Sequence, residues 1–132
     1  MESLIDRILS GTRTVAVVGL SDKPDRPSHA VARYLQERGF RVLPVNPNIR
    51  EVLGEASHPS LREITGTVDL VDVFRRPDAV VPVAEDAIRI GATYFWMQEG
   101  VRNREAEEML AGAGIPVVAD RCIKKELAKR GR

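Results

Sequence analysis

Apolar residues follow two different spacings in turn along this chain. Unbroken apolar runs, rich in Val and aromatic residues, predict five strands, over residues 14–18, 40–45, 67–74, 93–97 and 115–119. Apolar residues spaced by three and four predict helices around these runs, over residues 1–10, 28–39, 60–64, 80–90, 103–112 and 123–129. Strands that alternate with helices indicate an α/β fold, here a Rossmann-like, doubly wound parallel sheet in three α/β/α layers. A chain of 132 residues is expected to form one domain, residues 1–132.

Prolines and acidic residues limit where the strands can lie. Pro44 and Pro47 cannot donate to a central ladder, so the second strand should end near Val45. Asp69 and Asp72 interrupt the third strand, which predicts that one end or edge of it lies in water. Residues between the second and third strands favour a turn over positions 51–54.

The composition excludes several classes of function. A formal charge of +1 gives no overall attraction to nucleic acid or to an acidic membrane. No apolar run approaches the ~20 residues that span a bilayer, and the first ten residues carry charges inside a helical pattern, unlike a secretion signal. Cys122 is the only cysteine, which excludes an internal disulfide framework and suits a reducing, cytoplasmic location. We interpret Cys122 as a buried or half-buried spectator thiol.

Patterns typical of catalysis or metal binding are absent from the sequence. His29 and His58 are the only histidines, and their spacing makes neither a metal pair nor a nucleophile–base pair. We therefore predict no catalytic residue and no metal site. His29 lies at the start of a predicted helix, where it could donate to a phosphate. Trp96 lies in a strand pattern with its aromatic neighbours, which favours a place in the core over a stacking role.

The first strand leads through Gly19 into an irregular loop and then into a helix. This arrangement directs free backbone N–H groups and a helix N-terminus at an anion, so we expect a phosphate there. The loop adds side-chain partners, Ser21, Lys23, Arg26 and Ser28, and Ser28 is the expected N-cap. Gly19 would let the backbone approach the phosphate, so we expect Gly19→Val to block binding and to leave the fold intact. The alternative is that the loop is only a solvated connector.

Loops after the other strands supply further candidates. Two guanidinium groups, of Arg75 and Arg76, could hold a phosphate bidentately or could be ordinary surface arginines. Asn46 and Pro47 could form a rigid, non-ionic wall beside a nucleotide, or only a turn. The loop after the first strand lacks the second and third glycines of the G-x-G-x-x-G dinucleotide fingerprint. Asn46 also stands where a ribose-binding acid is required, which disfavours ordinary NAD binding.

Five segments, in order and together spanning nearly the whole chain, resemble the small stand-alone CoA-binding proteins. Their domain is similar to the CoA-binding domain of the succinyl-CoA synthetase alpha subunit and of NDP-forming acyl-CoA synthetases. The segments are VAVVGLSDKPDRPSHAVARYL, GFRVLPVNP, VDLVDVFRRP, WMQEGV and DRC.

This resemblance implies that CoA crosses the carboxyl edge of the sheet. It implies a pyrophosphate site at Gly19, Leu20 and Ser21, with the loop of residues 23–28 around it. The adenosine part would be bordered by Val45, Asn46 and Pro47 and faced by a wall of Phe74, Arg75, Arg76 and Pro77. The pantetheine arm would meet Gln98, Glu99, Gly100 and Val101. The phosphorylated histidine and the nucleotide-grasp domain of the synthetases lie outside this module, so the resemblance implies no ligase activity.

Three functions are compatible with these residues. The first is non-catalytic binding of coenzyme A or an acyl-CoA. The second is an enzyme, either an NAD(P)-binding oxidoreductase or a catalyst that handles acyl-CoA together with a partner. The third is a regulatory protein that senses CoA or acyl-CoA and passes the signal to a protein partner.

Overall fold

The structure is a computed structural model, and it describes residues 2–132; Met1, where the predicted first helix begins, lies outside the described residues. The helices are α1 (Leu4–Gly11), α2 (Pro27–Glu37), α3 (Val80–Ile90), α4 (Arg104–Gly112) and α5 (Ile123–Lys129). The strands are β1 (Thr14–Val18), β2 (Arg41–Val45), β3 (Glu51–Val52), β4 (Glu55–Ala56), β5 (Leu70–Val73), β6 (Tyr94–Met97) and β7 (Val117–Val118). Short 3₁₀ turns cover Leu61–Glu63 and Pro77–Ala79. None of the helices in this part of the chain is long and apolar enough to cross a membrane.

Five strands form one parallel sheet in the order β2-β1-β5-β6-β7. The order runs outward from β1 to β2 on one side and from β5 to β7 on the other, so it reverses between β1 and β5. In open α/β sheets this point is where ligands bind, beyond the carboxyl ends of the strands. β2 is an edge strand and ends at Val45, as its prolines predict. The predicted turn at residues 51–54 belongs to the small antiparallel pair β3-β4, which the sequence pattern did not reveal.

Side chains on the two faces of the sheet enter two separate hydrophobic cores. Val71 and Val73 of β5 face α3 and α4, where Val80, Ala84 and Leu110 cover them. Leu70 faces the other side, where α1, α2 and α5 contribute Ile8, Leu9, Val31, Leu35, Ile123 and Leu127. Helices on both faces confirm the three-layer, Rossmann-like α/β architecture. Phe95 and Trp96 are fully buried, as expected of core residues.

The third predicted strand differs most from expectation. It is shorter, Leu70–Val73, and lies in the middle of the sheet between β1 and β6. Asp69 precedes it and accepts hydrogen bonds from the Arg13 and Thr14 backbone N–H groups at 2.9 and 3.0 Å. Asp72 is fully buried, so the expectation of a wet end or edge is wrong for this residue. A charged side chain in a strand pattern favours an edge only on average. The apolar neighbours Leu70, Val71 and Val73 are buried on the two faces of the sheet, and they carry Asp72 into its centre.

Candidate functional site

Three neighbouring cavities lie along the carboxyl edge of the sheet. The loop cavity, about 310 Å³, is lined by Gly19, Ser21, Lys23, Arg26, Pro27, Ser28 and Phe74. The cysteine cavity, about 490 Å³, is lined by Pro27, Val31, Phe74, Arg75, Arg76, Gln98, Glu99, Val101 and Cys122. The helix cavity, about 100 Å³, is lined by Val18, Val45, Pro59, Ser60, Leu61, Arg75, Pro82, Val83 and Asp86. Phe74 and Pro27 border the loop and cysteine cavities, and Gly19 of the loop cavity directly follows Val18 of the helix cavity. The loop cavity therefore adjoins both of the others at the point where strand order reverses.

Gly19 holds β1 and β5 close together at the start of the loop cavity. Its φ of +87° lies in the left-handed region, and a Cβ built there would lie 2.1 Å from the Phe74 carbonyl oxygen. Its N–H donates to the Val45 carbonyl at 2.9 Å and is therefore not free for a ligand. Because a side chain at Gly19 would collide with the backbone of the central strand, Gly19→Val should disturb the sheet itself. The expectation that this variant keeps its fold is not supported by this geometry.

The loop after Gly19 is closed by Ser28. Ser28 is not the N-cap, because α2 begins at Pro27 with Arg26 as N-cap, and proline suits the first helical position. The Ser28 hydroxyl instead accepts a hydrogen bond from the Ser21 N–H at 3.0 Å, and the Ser21 hydroxyl accepts one from the Lys23 N–H at 3.1 Å. Within residues 2–132 the Ser28 N–H itself has no acceptor, so the first turn of α2 presents a free donor beside the cavity.

Cationic side chains surround this donor. Lys23 and Arg26 are exposed, line the loop cavity and form no salt bridge in the described part of the chain. Asp22 and Asp25 belong to the same loop but are not among the residues that line the cavity. Arg76 differs, because its guanidinium lies 3.4 Å from Asp78 and its side chain is 84% exposed. Lys23 and Arg26 are therefore the cations most available to an anion here.

Asn46 holds two loops of this edge together. Its side-chain amide donates to the Leu20 carbonyl at 2.9 Å, and its Oδ1 accepts from the Asn48 N–H at 2.9 Å. Leu20 is fully buried, so its side chain belongs to the core and not to a cavity wall. Pro47 is exposed and, like Asn46, is not among the residues that line the three cavities. Val45 does line the helix cavity.

The loop after β6 is held in place from β7. Gly100 has φ +79°, and its N–H donates to Asp120 Oδ1 at 2.7 Å. Asp120 has a positive φ of +58°, and its own N–H donates to the Val101 carbonyl at 3.2 Å. Glu99 pairs with Lys125 at 3.0 Å, which raises the pKa of Lys125. Asp120 was not predicted as a site residue, although its position in the DRC segment was a signal.

The remaining predicted residues are divided between the cavities and their surroundings. Gln98, Glu99 and Val101 line the cysteine cavity, whereas Gly100 and Pro77 line none of the three. His29 is 7% exposed in α2, with a buried Nδ1 that has no hydrogen-bond partner in residues 2–132, and it lines none of them either. The cavity walls also include residues that the sequence did not single out: Pro27, Val31, Pro59, Ser60, Leu61, Pro82, Val83 and Asp86.

Comparison with known proteins places the chain in a family. The family model described as a CoA binding domain matches residues 13–128, nearly all of the chain. The chain belongs to the CoA-binding domain family. Membership of this family supports CoA as the ligand and confirms the resemblance noted in the sequence. It does not favour the NAD(P)-binding alternative.

Relatives of similar size share both the sequence and the fold. The protein YneT of Bacillus subtilis is 47% identical over 120 residues, which cover 91% of this chain and 89% of YneT. The structure of a hypothetical protein from Pyrococcus horikoshii OT3 has a TM-score of 0.92 and 39% identity, and covers 95% of this chain and 88% of that one. An ADP-forming acetate–CoA ligase of Archaeoglobus fulgidus is 28% identical over 124 residues, but these cover 84% of this chain and only 18% of the ligase.

Proposed function

We propose that this protein binds coenzyme A or an acyl-CoA along the carboxyl edge of its sheet, without catalysing a reaction on it. The observation that carries the proposal is the loop cavity at the strand-order reversal. Among the described residues, Lys23 and Arg26 beside this cavity have no salt-bridge partner and the Ser28 N–H has no acceptor. CoA contains a pyrophosphate, and this set of donors suits a phosphate better than it suits a ribose.

The three cavities offer one site for each part of the ligand. The pyrophosphate would lie in the loop cavity against Lys23, Arg26 and the start of α2. The pantetheine arm would follow the largely apolar cysteine cavity towards Gln98, because an uncharged chain suits apolar walls with few polar groups. The adenosine would lie towards Val45 and the helix cavity, where Arg75 is available to the 3′-phosphate.

A binding function also accounts for what the site lacks. The two histidines, His29 and His58, are partly or fully enclosed, and His58 Nδ1 lies 3.3 Å from the Pro44 carbonyl oxygen rather than beside a nucleophile. The relatives named as ligases extend far beyond the region that this chain matches, and only 18% of the Archaeoglobus fulgidus enzyme is covered. An acyl-CoA-handling enzyme that acts with a partner, a CoA sensor and a cytoplasmic location remain secondary proposals.

Calorimetry with CoA tests the proposal through the loop cations. We expect CoA to bind, NAD to give no heat at the same concentration, and the double variant Lys23→Ala/Arg26→Ala to weaken CoA binding by about tenfold or more, since charge-assisted hydrogen bonds to phosphate are lost. Gly19→Val is unsuitable for this test because it disturbs the sheet.

The control variant removes the same number of positive charges from the amino edge of the sheet, opposite the cavities. Arg13 and Arg41 are exposed at the amino ends of β1 and β2, so Arg13→Ala/Arg41→Ala changes the net charge equally without touching the cavities. If CoA affinity fell by the same factor in both double variants, the loss would be an effect of net charge alone. That result would contradict the placement of the pyrophosphate beside Lys23 and Arg26. An absence of heat with CoA at ~1 mM would contradict CoA binding itself.

A further inference from the structure

The cysteine cavity ends at a thiol with an unusual neighbour. Cys122 is half-buried, as the sequence led us to expect, but it also lies in the cavity wall, where its thiol can meet a bound molecule. Gln98 lies in the same wall and is 4% exposed. Both residues lie at the end of the cysteine cavity that is farther from Lys23 and Arg26, because neither of them lines the loop cavity.

Gln98 carries a donor that the protein leaves unused. The Gln98 Oε1 accepts a hydrogen bond from the Ile123 N–H at 3.3 Å, which fixes the orientation of the side-chain amide. The NH₂ group of this amide, Nε2, remains as a donor. Within residues 2–132 this Nε2 donates to no acceptor, and the atom is not fully enclosed, so it is open to a molecule in the cavity. A carbonyl oxygen brought into the cavity would satisfy it. A pantetheine arm carries two amide carbonyls and ends in a thiol, so the amide donor and the sulfur beside it match the end of that arm.

We propose that Cys122 is a site of thiol–disulfide exchange with the disulfide form of the bound nucleotide, held in register by Gln98. This inference rests on the proposed CoA function and adds a chemical step to it. The Cys122 thiolate attacks one sulfur of a CoA disulfide, the S–S bond of that disulfide breaks, and a Cys122–CoA mixed disulfide forms. The released CoA thiolate takes up a proton in place of the one that Cys122 lost. One disulfide replaces another, so no further oxidant is consumed.

The surroundings of Cys122 favour this reaction. Arg75 and Arg76 line the same cavity, and Lys125 lies one turn along α5 from the cysteine. Cations beside the cavity attract a ligand that carries phosphate groups. The apolar wall residues Val31 and Phe74 suit the uncharged pantetheine arm better than the charged glutathione disulfide.

The reaction is measured on the intact protein by mass spectrometry over time. Reduced protein is mixed with CoA disulfide or with glutathione disulfide at equal concentration. We expect a single adduct of one CoA unit, reversed by dithiothreitol and mapped to Cys122, which forms at least tenfold faster than the glutathione adduct. Cys122→Ser should give no adduct, and Lys23→Ala/Arg26→Ala should remove most of the preference for CoA disulfide.

A second variant tests Gln98 as a positioning residue. Gln98→Glu keeps an oxygen for the Ile123 N–H and removes the amide donor, so it should slow the reaction with CoA disulfide several-fold more than the reaction with glutathione disulfide. Equal slowing with both reagents would overturn the assignment of Gln98.

One measurement separates the exchange reaction at Cys122 from the binding of CoA. Calorimetry of the wild-type protein with reduced CoA, in the presence of dithiothreitol, reports binding alone. CoA that binds in this measurement, combined with no preference for CoA disulfide at Cys122, would overturn the exchange reaction and leave the binding function standing. No binding of reduced CoA would overturn both.

Discussion

Asp72 is a carboxyl group without a partner in the centre of the sheet. It lies between Val17 of β1 and Trp96 of β6, and neither of its carboxylate oxygens has a hydrogen bond within residues 2–132. Burial raises the pKa of Asp72 well above its ordinary value of 3.8, because desolvation disfavours the charged form. The fold therefore holds this side chain protonated at pH values where the unfolded chain has released the proton.

This difference makes stability depend on pH in a stated direction. Since the folded state binds the extra proton, the contribution of Asp72 to the free energy of unfolding falls as pH rises above about 4. We expect Asp72→Val to raise the free energy of unfolding by more than about 1 kcal/mol at pH 8, and by less at pH 5, because an unpaired buried polar group is removed. Urea denaturation at both pH values measures it.

A variant of an exposed acid is the control for the pH-dependent contribution of Asp72 to stability. Asp25→Asn, in the exposed loop before α2, removes one carboxyl group from the surface and serves as the control for the loss of a negative charge. A gain from Asp72→Val that is equal at pH 5 and pH 8 would show that Asp72 does not titrate differently in the folded state.

At the level of elements, the Asp120 side chain helps to hold the β6 exit loop against the segment that follows β7. Asp120 accepts the Gly100 N–H at 2.7 Å and adopts φ +58°, a conformation that Asp and Asn tolerate better than Ala. We expect Asp120→Ala to lower the free energy of unfolding by about 1–2 kcal/mol, through the lost hydrogen bond and the strained backbone. Asp120→Asn keeps the acceptor and should cost less than about 0.5 kcal/mol.

Hydrogen exchange locates the consequence within the loop. The Gly100 amide should exchange faster in Asp120→Ala and remain protected in Asp120→Asn, whereas the β1 amides should change only by the factor that the loss of global stability accounts for. Equal stability of the two variants would show that this hydrogen bond does not hold the loop.

The sequence was most informative about elements whose pattern has a single physical cause. The five parallel strands and five helices follow from apolar spacing, and the end of β2 at Val45 follows from proline chemistry. The start of α2 was displaced because Ser28 can either cap a helix or close a loop through its hydroxyl, and only the position of the Ser21 N–H decides between them. The depth of Asp72 could not be predicted, since it depends on β5 lying between two other strands.

The candidate site, too, could be predicted only where its residues are neighbours in the sequence. Strand–glycine–helix chemistry predicted the loop that contains Lys23 and Arg26, and these residues do line a cavity. Cys122 and Asp86 come from segments distant in sequence and meet the edge only through the order of strands and helices. Local sequence patterns carry no information on contacts between segments that are distant in the chain.

At the scale of the whole molecule, the three cavities lie on both sides of the sheet. The cysteine cavity opens on the side of α2 and α5, and the helix cavity opens on the side of α3. A ligand that fills the series must cross the carboxyl edge at Gly19, so its two ends should protect helices on opposite faces of the sheet.

Hydrogen exchange with and without CoA tests this crossing directly. We expect protection in residues 20–28, 98–101 and 120–123 on one side and in residues 59–61 and 82–86 on the other, because the bound ligand shields both ends of the series. Residues 12–14 and 39–41, at the amino edge, should exchange at the same rate with and without CoA, and NAD at equal concentration should protect neither side. Protection confined to one side of the sheet would contradict the arrangement of the adenosine and pantetheine parts in separate cavities. In that case Asp86 and the helix cavity would have no part in binding, while the loop cations would keep theirs.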